Sequence, residues 1–235
     1  MVFVILWRKD ITAESMLFKK SDSKKIKHEF LGKLLTGRVL DVGYASYPSP
    51  VAHDFYGVDI QNREAPKGYK EVKSADLNTE PIPYPDGFFD TVIAADVIEH
   101  VMNPLKVFLE INRILKKGGK FIFVVPNPYF YREIIFNIFV NFFIKTNTIP
   151  PQEAHINLPS RHIARTMFYW SGFTLKKEFG FSFPIPKTKF LLSMYCLPSL
   201  AYEIIYVTEK TEENPKFSII TKRLDKGVWE RDPGR

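Results

Sequence analysis

One cysteine, Cys196, stands among 235 residues. A single thiol excludes a disulfide framework and any cysteine-rich zinc site, and a reducing, cytoplasmic compartment is the default. A secretory leader is not expected either. The opening MVFVILW is apolar, but Arg8 and Lys9 follow the run instead of preceding it, and no small-residue cleavage site comes next. That run reads as a strand or a surface-docking segment. Glycine is scarce where nucleotide-binding folds need it most. VLDVGYASYPSP, Val39–Pro50, reads as a buried strand ending in a glycine turn, yet it holds only Gly43. A nicotinamide-dependent oxidoreductase predicts G-x-G-x-x-G here, and Gly43 with Ala45 and Pro48 does not supply it.

Apolar residues make up 45 % of the chain, enough for a full core in one sizeable α/β domain. The net charge is +7, with much of the excess in Lys19, Lys20, Lys24, Lys25 and Lys27. Such a patch can attract phosphates, nucleic acid or anionic lipid. Acidic and basic residues interleave elsewhere, so a solvated, lysine-rich helix face is the expectation here.

From Arg38 onward short apolar runs alternate with helical patterns. Strands are predicted at Arg38–Gly43, Phe55–Ile60, Tyr69–Ala75, Phe89–Ala94 and Lys120–Val125. KFIFVV, the last of these, is apolar almost throughout, as in a strand buried on both faces of a parallel sheet. A helix precedes it. Asn103 caps it, Pro104 fits its first turn, and Leu105, Phe108, Ile111 and Leu115 form its apolar stripe. Lys116 and Lys117 suit its C-terminal end, and Gly118-Gly119 are expected to stop it. Strand–helix–strand alternation implies right-handed crossovers and a doubly wound sheet. A further helix is expected over Ser160–Ser171, then strands at Phe173–Phe179 and Tyr202–Thr208, then a charged tail.

In open α/β sheets, ligands sit at the C-terminal ends of the strands, where strand order reverses. The predicted strands end at Asp41-Val42-Gly43, at Asp59, at Asp76-Leu77 and at Ala95-Asp96, with Glu99-His100 next. Four acidic strand ends facing one crevice make a poor pyrophosphate site. They suit a ligand with a ribose, an adenine amino group and a positive charge. Asp90, at the start of its strand, is expected to be structural.

Four stretches carry a resemblance: VLDVG (Val39–Gly43), YGVDI (Tyr56–Ile60), PIPYPDGFFDTVIAADVIEHVMNP (Pro81–Pro104) and LKKGGKFIFVVPNP (Leu115–Pro128). Together the chain resembles a class I S-adenosylmethionine-dependent methyltransferase over roughly 38–210. HINLPSRHIARTMFYWSGF, His155–Phe173, is similar to that family more loosely. The resemblance implies an α/β, Rossmann-like fold: a doubly wound, mostly parallel seven-stranded sheet with one antiparallel strand near its C-terminal end, for which Tyr202–Thr208 is the candidate. Around that domain it leaves a basic N-terminal extension over 1–37, an aromatic helical insertion near 129–151 and a charged tail over 211–235. It also implies S-adenosylmethionine as cofactor. By position, Asp41, Gly43 and Ala45 match the methionine end, Asp59 the ribose acid, Asp76 and Leu77 the adenine contacts, and Ala95 and Asp96 the segment beside the methyl-bearing sulfur. The family's loop has glycines where this chain has Ala45 and Tyr47, so the course of the loop is the open point.

The implied reaction is methyl transfer to a small-molecule acceptor, with a sugar or lipid-linked precursor suggested by analogy. A non-catalytic domain that keeps the fold is the other alternative to an oxidoreductase. An acceptor hydroxyl needs a base, and His155 and His100 are the candidates, ahead of His162; each has a structural alternative. NPYF, Asn127–Phe130, is similar to the Asn-Pro-Pro-Tyr motif of adenine-modifying DNA methyltransferases. It lacks the second proline and follows the wrong strand, so nucleic acid is not the expected partner. Tyr129–Ile144 is an aromatic helix with one narrow polar stripe and is too short to cross a bilayer. It has three readings: a core helix or subunit interface, a lid over an apolar acceptor, or a membrane-surface contact. No metal site is expected.

Overall fold

The structure is a computed structural model. It describes residues 17–49, 54–130, 134–135, 157–185, 188, 190–192 and 198–212. The described strands, in chain order, are β1 (Leu17–Lys19), β2 (Arg38–Val42), β3 (Asp54–Asp59), β4 (Tyr69–Ser74), β5 (Phe89–Ala95), β6 (Leu115–Pro126), β7 (Phe173–Phe181), β8 (Phe183–Pro184), β9 (Phe190–Leu192) and β10 (Glu203–Lys210). The described α-helices are α1 (Ser23–Gly32), α2 (Pro104–Ile114) and α3 (Arg161–Trp170).

Seven of these strands form one sheet in the order β4-β3-β2-β5-β6-β10-β7. Strands β2 to β6 run parallel, and β10 is antiparallel to both β6 and β7. The expected doubly wound sheet is therefore present, and the antiparallel strand is the one that begins at Glu203. From β2 the chain moves outward through β3 and β4, then returns to place β5 on the other side of β2. Strand order thus reverses between β2 and β5.

Strand β6 explains why its sequence is so apolar. Phe121, Phe123 and Val125 enter the core on the sheet face that carries α2 and α3, while Ile122 and Val124 enter the core on the face that carries α1. All five are fully buried, so this stretch of the strand offers no side to water. On the first face Phe108 of α2 stacks on Phe168 of α3, with ring centroids 5.5 Å apart. On the second, Phe30 and Leu31 of α1 pack with Val39, Ile93 and Ile205.

Helix α2 starts as expected: the Asn103 side chain accepts from the Lys106 amide at 3.1 Å, and Pro104 is its first residue. It ends earlier than expected. Leu115 is already extended, and Lys116, Lys117, Gly118 and Gly119 belong to β6 instead of closing the helix. Strand pairing wins there: Leu115 pairs with Phe89 and is fully buried, and Lys116 binds Asp90 Oδ1 at 2.7 Å. Gly119 is needed because a Cβ would stand 2.8 Å from the Lys116 carbonyl. Asp90 is structural, as expected. Its Oδ2 also accepts from the Arg38 amide at 2.9 Å, tying β5 to β2 at the end opposite the crevice.

A second, three-stranded sheet, β1-β9-β8, had no counterpart in the sequence reading. The lysine-rich segment forms α1 with Lys24 and Lys25 exposed, but Lys27 departs from a solvated face and is buried. The MVFVILW run, Cys196, nearly all of the aromatic helix and the tail beyond Glu212 lie outside the described residues. Among the described residues no helix is long and apolar enough to cross a membrane.

Candidate active site

Gly43 closes β2 with φ +82°, a conformation that strongly favours glycine. Space demands glycine as well, because a Cβ there would lie 2.2 Å from Cγ2 of Val97 in the turn after β5. The two strand ends flanking the reversal point are thereby packed together. The residues that replace the usual glycines have their own anchors. Tyr44 is buried, its hydroxyl donates to the Arg63 carbonyl at 3.1 Å, and its ring occupies the space over Gly57, where a Cβ would meet it at 2.6 Å. Tyr47 lies against His28 of α1, ring centroids 4.7 Å apart. The loop is therefore held by aromatic contacts where a glycine-rich loop relies on close main-chain approach.

Asp59 sits at the end of β3, nearly buried. One oxygen accepts from the Gln61 amide at 2.8 Å and the other from the Ala45 amide at 3.2 Å. Each retains a lone pair for a further donor. The next residue, Ile60, is 64 % exposed and offers an apolar face beside that carboxylate. Asp76 organises its own turn: Oδ1 accepts from both the main-chain and side-chain nitrogens of Asn78, each at 3.0 Å. Leu77 beside it is half-buried.

Asp41 sits differently from the other strand-end acids. Its carboxylate is buried and accepts from the Tyr69 hydroxyl, which in turn accepts from the Ser49 amide at 3.0 Å. Burial pushes the Asp41 carboxyl up to about 7, against the lowering effect of the Tyr69 hydroxyl.

At the end of β5, Ala95 is half-buried and Asp96 has φ +57°, strained for a residue with a side chain. Two contacts hold it. Its amide donates to the Val124 carbonyl at 3.3 Å, and its Oδ2 binds Nζ of Lys27 at 2.5 Å. The same ammonium binds Oε1 of Glu203, at the start of β10, at 2.8 Å. Burial pulls the Lys27 pKa down, but the two carboxylates outweigh it and hold the ammonium well above its ordinary range. For Glu203, burial pushes upward and Lys27 opposes it. An ammonium at 2.8 Å favours the ionised pair.

Glu99 belongs to this group too. It lies on the short 3-10 turn Ile98–His100, is 1 % exposed, and neither carboxylate oxygen has a hydrogen-bond partner among the described residues. Burial pushes it up to about 8. Asn157 fastens this turn by donating to the carbonyls of Glu99 and Val101. His100 is exposed on the turn, and His162 is exposed on α3. His155 lies outside the described residues.

Lys27, Glu203 and Tyr69 were not among the expected site residues, and Glu99 was noted only as following the fourth strand's end. Two signals were present. Glu203 interrupts the apolar run YEIIYV, and Lys27 shares a helical face with Phe30 and Leu31, where a lysine must be buried. A shallow depression of about 420 Å³, bordered by Asp86, Arg113, Lys117 and Lys210, lies at the C-terminal end of α2, away from these acids.

Residues 40–123 match the methyltransferase domain family. Over those residues, β2 through most of β6, the chain is similar to that family. An uncharacterised protein of Methanocaldococcus jannaschii is 36 % identical over 129 residues, 53 % of this chain and 52 % of that protein. A demethylmenaquinone methyltransferase of Symbiobacterium thermophilum is 34 % identical over 93 residues, 36 % of this chain and 37 % of the relative. The chain thus spans about half the length of the first of these and less of the second. A crystal structure of an S-adenosylmethionine-dependent methyltransferase from Thermotoga maritima superposes with a TM-score of 0.58 at 16 % identity, over 82 % of this chain and 91 % of that one. That likeness is one of fold.

The family's cofactor is S-adenosylmethionine, and the residues at the strand ends fit it. Asp59 keeps free acceptor capacity beside an exposed apolar side chain. Among the described residues the Asp96 Oδ1 and both Glu99 oxygens have no hydrogen-bond partner at the other end of the row, which suits a ligand carrying positive charge.

Proposed function

We propose that the protein binds S-adenosylmethionine across the ends of β2, β3 and β5 and transfers its methyl group to a small-molecule acceptor. The observation that carries this reading is the meeting of Gly43, Asp59 and Asp96 around the one place where strand order reverses. Asp59 would hold the ribose hydroxyls, with Ile60 and Leu77 against the adenine and Asp76 near its amino group. Gly43, Ala45, Ala95 and Asp96 would line the methionine end, and Asp41 would support it through Tyr69.

When bound, the cofactor supplies a methyl already activated by its sulfonium. The protein's task is then alignment and exclusion of water. For a hydroxyl acceptor the exposed His100 imidazole is the candidate base within the described residues, with His155 beside it in the sequence reading. A sugar or lipid-linked precursor is the acceptor class to screen first. Exposed Tyr129 and Ile135, three and nine residues beyond the end of β6, favour an apolar, lipid-linked partner. The relative from Symbiobacterium thermophilum, whose name gives a small-molecule acceptor, supports the same class.

A thermal-shift titration with S-adenosylmethionine, S-adenosylhomocysteine and NAD tests the reading. The two adenosyl compounds should raise the melting temperature and NAD should not. A rise with NAD alone would favour an oxidoreductase. No rise with any ligand would favour a binding module.

A further inference from the structure

The acids around the end of β5 do not balance. Lys27 is the only cation bonded to them among the described residues, and it serves Asp96 Oδ2 and Glu203 Oε1. Three carboxyl groups therefore surround one ammonium. Glu99 is the one left out: it is 1 % exposed and, among the described residues, has no hydrogen-bond partner on either oxygen. The second oxygen of Asp96 is also buried and has no hydrogen-bond partner among the described residues. A buried carboxylate without a donor is costly, and the free protein avoids that cost by keeping Glu99 protonated.

We infer that Glu99 and Oδ1 of Asp96 form a subsite for an organic cation, and that Glu99 gives up its proton when the cation docks. The inference rests on the proposed S-adenosylmethionine site, because Asp96 ends the strand that flanks it. The docking charge comes either from the cofactor or from a cationic acceptor. The chemistry is the same in both cases: a positive charge that is stabilised by an ionised carboxylate and gains little from a protonated one.

Among the described residues, three charged groups act on Glu99. Lys27 comes from α1, Asp96 from the turn after β5, and Glu203 from β10. His28, next to Lys27, is buried and its pKa is lowered to about 4, chiefly by burial, so it stays neutral where Glu99 titrates. With its pKa near 8, Glu99 is protonated in about nine molecules of ten at pH 7. Binding that drops this pKa by two units or more should release about one proton per site. Affinity should rise by up to tenfold per pH unit in the window below 8 and level off above it.

The test is calorimetry at pH 7 in two buffers of different ionisation enthalpy, which counts protons released. Wild type is compared with Glu99→Gln and with Glu99→Met; the second keeps the volume, removes the acid and guards against a misfolded first variant. The probes are S-adenosylmethionine, S-adenosylhomocysteine and methylthioadenosine. Tetramethylammonium, which carries charge but no proton, is added to the S-adenosylhomocysteine complex and to the free protein. Excess release in wild type with S-adenosylmethionine alone assigns the charge to the sulfonium. Equal release with S-adenosylhomocysteine but not methylthioadenosine assigns it to the ammonium. Release only with tetramethylammonium assigns it to the acceptor. If wild type and both variants release the same number of protons in every arm, the subsite does not exist. If no adenosyl compound binds, the proposed function fails, and the tetramethylammonium arm still decides the subsite.

Discussion

Lys27→Met should uncouple the N-terminal helix from the strand ends. Methionine keeps the length of the side chain and removes the ammonium. Asp96 is 36 % exposed at its side chain, so water can replace the lost partner there. Glu203 is 11 % exposed, so nearly the whole cost falls on it. Breaking a buried pair from one side costs about 3–5 kcal/mol, and hydration of Asp96 trims that to about 2–4 kcal/mol. For a chain of this size the melting temperature should fall by about 4–16 °C. The sign with pH follows from the carboxylate: burial raises the Glu203 pKa, so an unpaired Glu203 costs most when ionised. The deficit should be largest near pH 8 and shrink as falling pH protonates Glu203. Urea denaturation at pH 8 and at pH 5, with Lys27→Met, Glu203→Met and the double variant, measures it. The double variant should recover most of the loss, because no buried charge remains. If Lys27→Met lies within about 0.5 kcal/mol of wild type at pH 8, the ion pairs do not hold α1 in place and the reasoning fails.

Asp59→Ala should weaken S-adenosylmethionine binding by about 1.5–3 kcal/mol, the scale for losing a charged hydrogen-bond partner, and calorimetry on the folded variant with unchanged affinity would remove Asp59 from the site. Gly43→Ala should cost at least about 2 kcal/mol, since it combines an unfavourable φ with the Val97 clash; adding Val97→Ala should return only the clash, and a fully stable single variant would contradict the turn geometry. Glu99→Gln should abolish a pH slope in stability. A folded pKa raised from 4.5 to about 8 means that wild type loses stability as pH rises between those values, by about 3–5 kcal/mol at most, so the variant should gain on wild type from pH 5 to pH 9 in urea melts; an unchanging difference would refute the buried acid. His100→Ala should leave cofactor affinity unaltered and lower turnover by about 10²–10⁴-fold on a hydroxyl acceptor; near wild-type turnover would leave alignment alone to suffice.

Some of this protein could be read from local chemistry. Apolar runs of strand length, the Asn103-Pro104 helix start and acids at regular strand ends gave the doubly wound sheet and its crevice, because period and capping are properties of neighbours in the chain. Gly43 could be read the same way, since a strand-to-helix turn commonly calls for glycine. Other features depended on neighbours distant in sequence. Leu115 to Gly119 carry the chemistry of a helix stop, yet they join β6, because pairing with Phe89 offers Leu115 full burial that a helix end does not. The aromatic residues in the glycine loop made sense only once Gly57 left room for Tyr44 and α1 brought His28 to Tyr47. Lys27 and Glu203 lie 176 residues apart. Each taken alone is a charged residue in an apolar pattern. Their meeting at Asp96, and the isolation of Glu99 beside them, were decided by the tertiary structure, since a buried charge can be interpreted only when its partners and its distance from water are known.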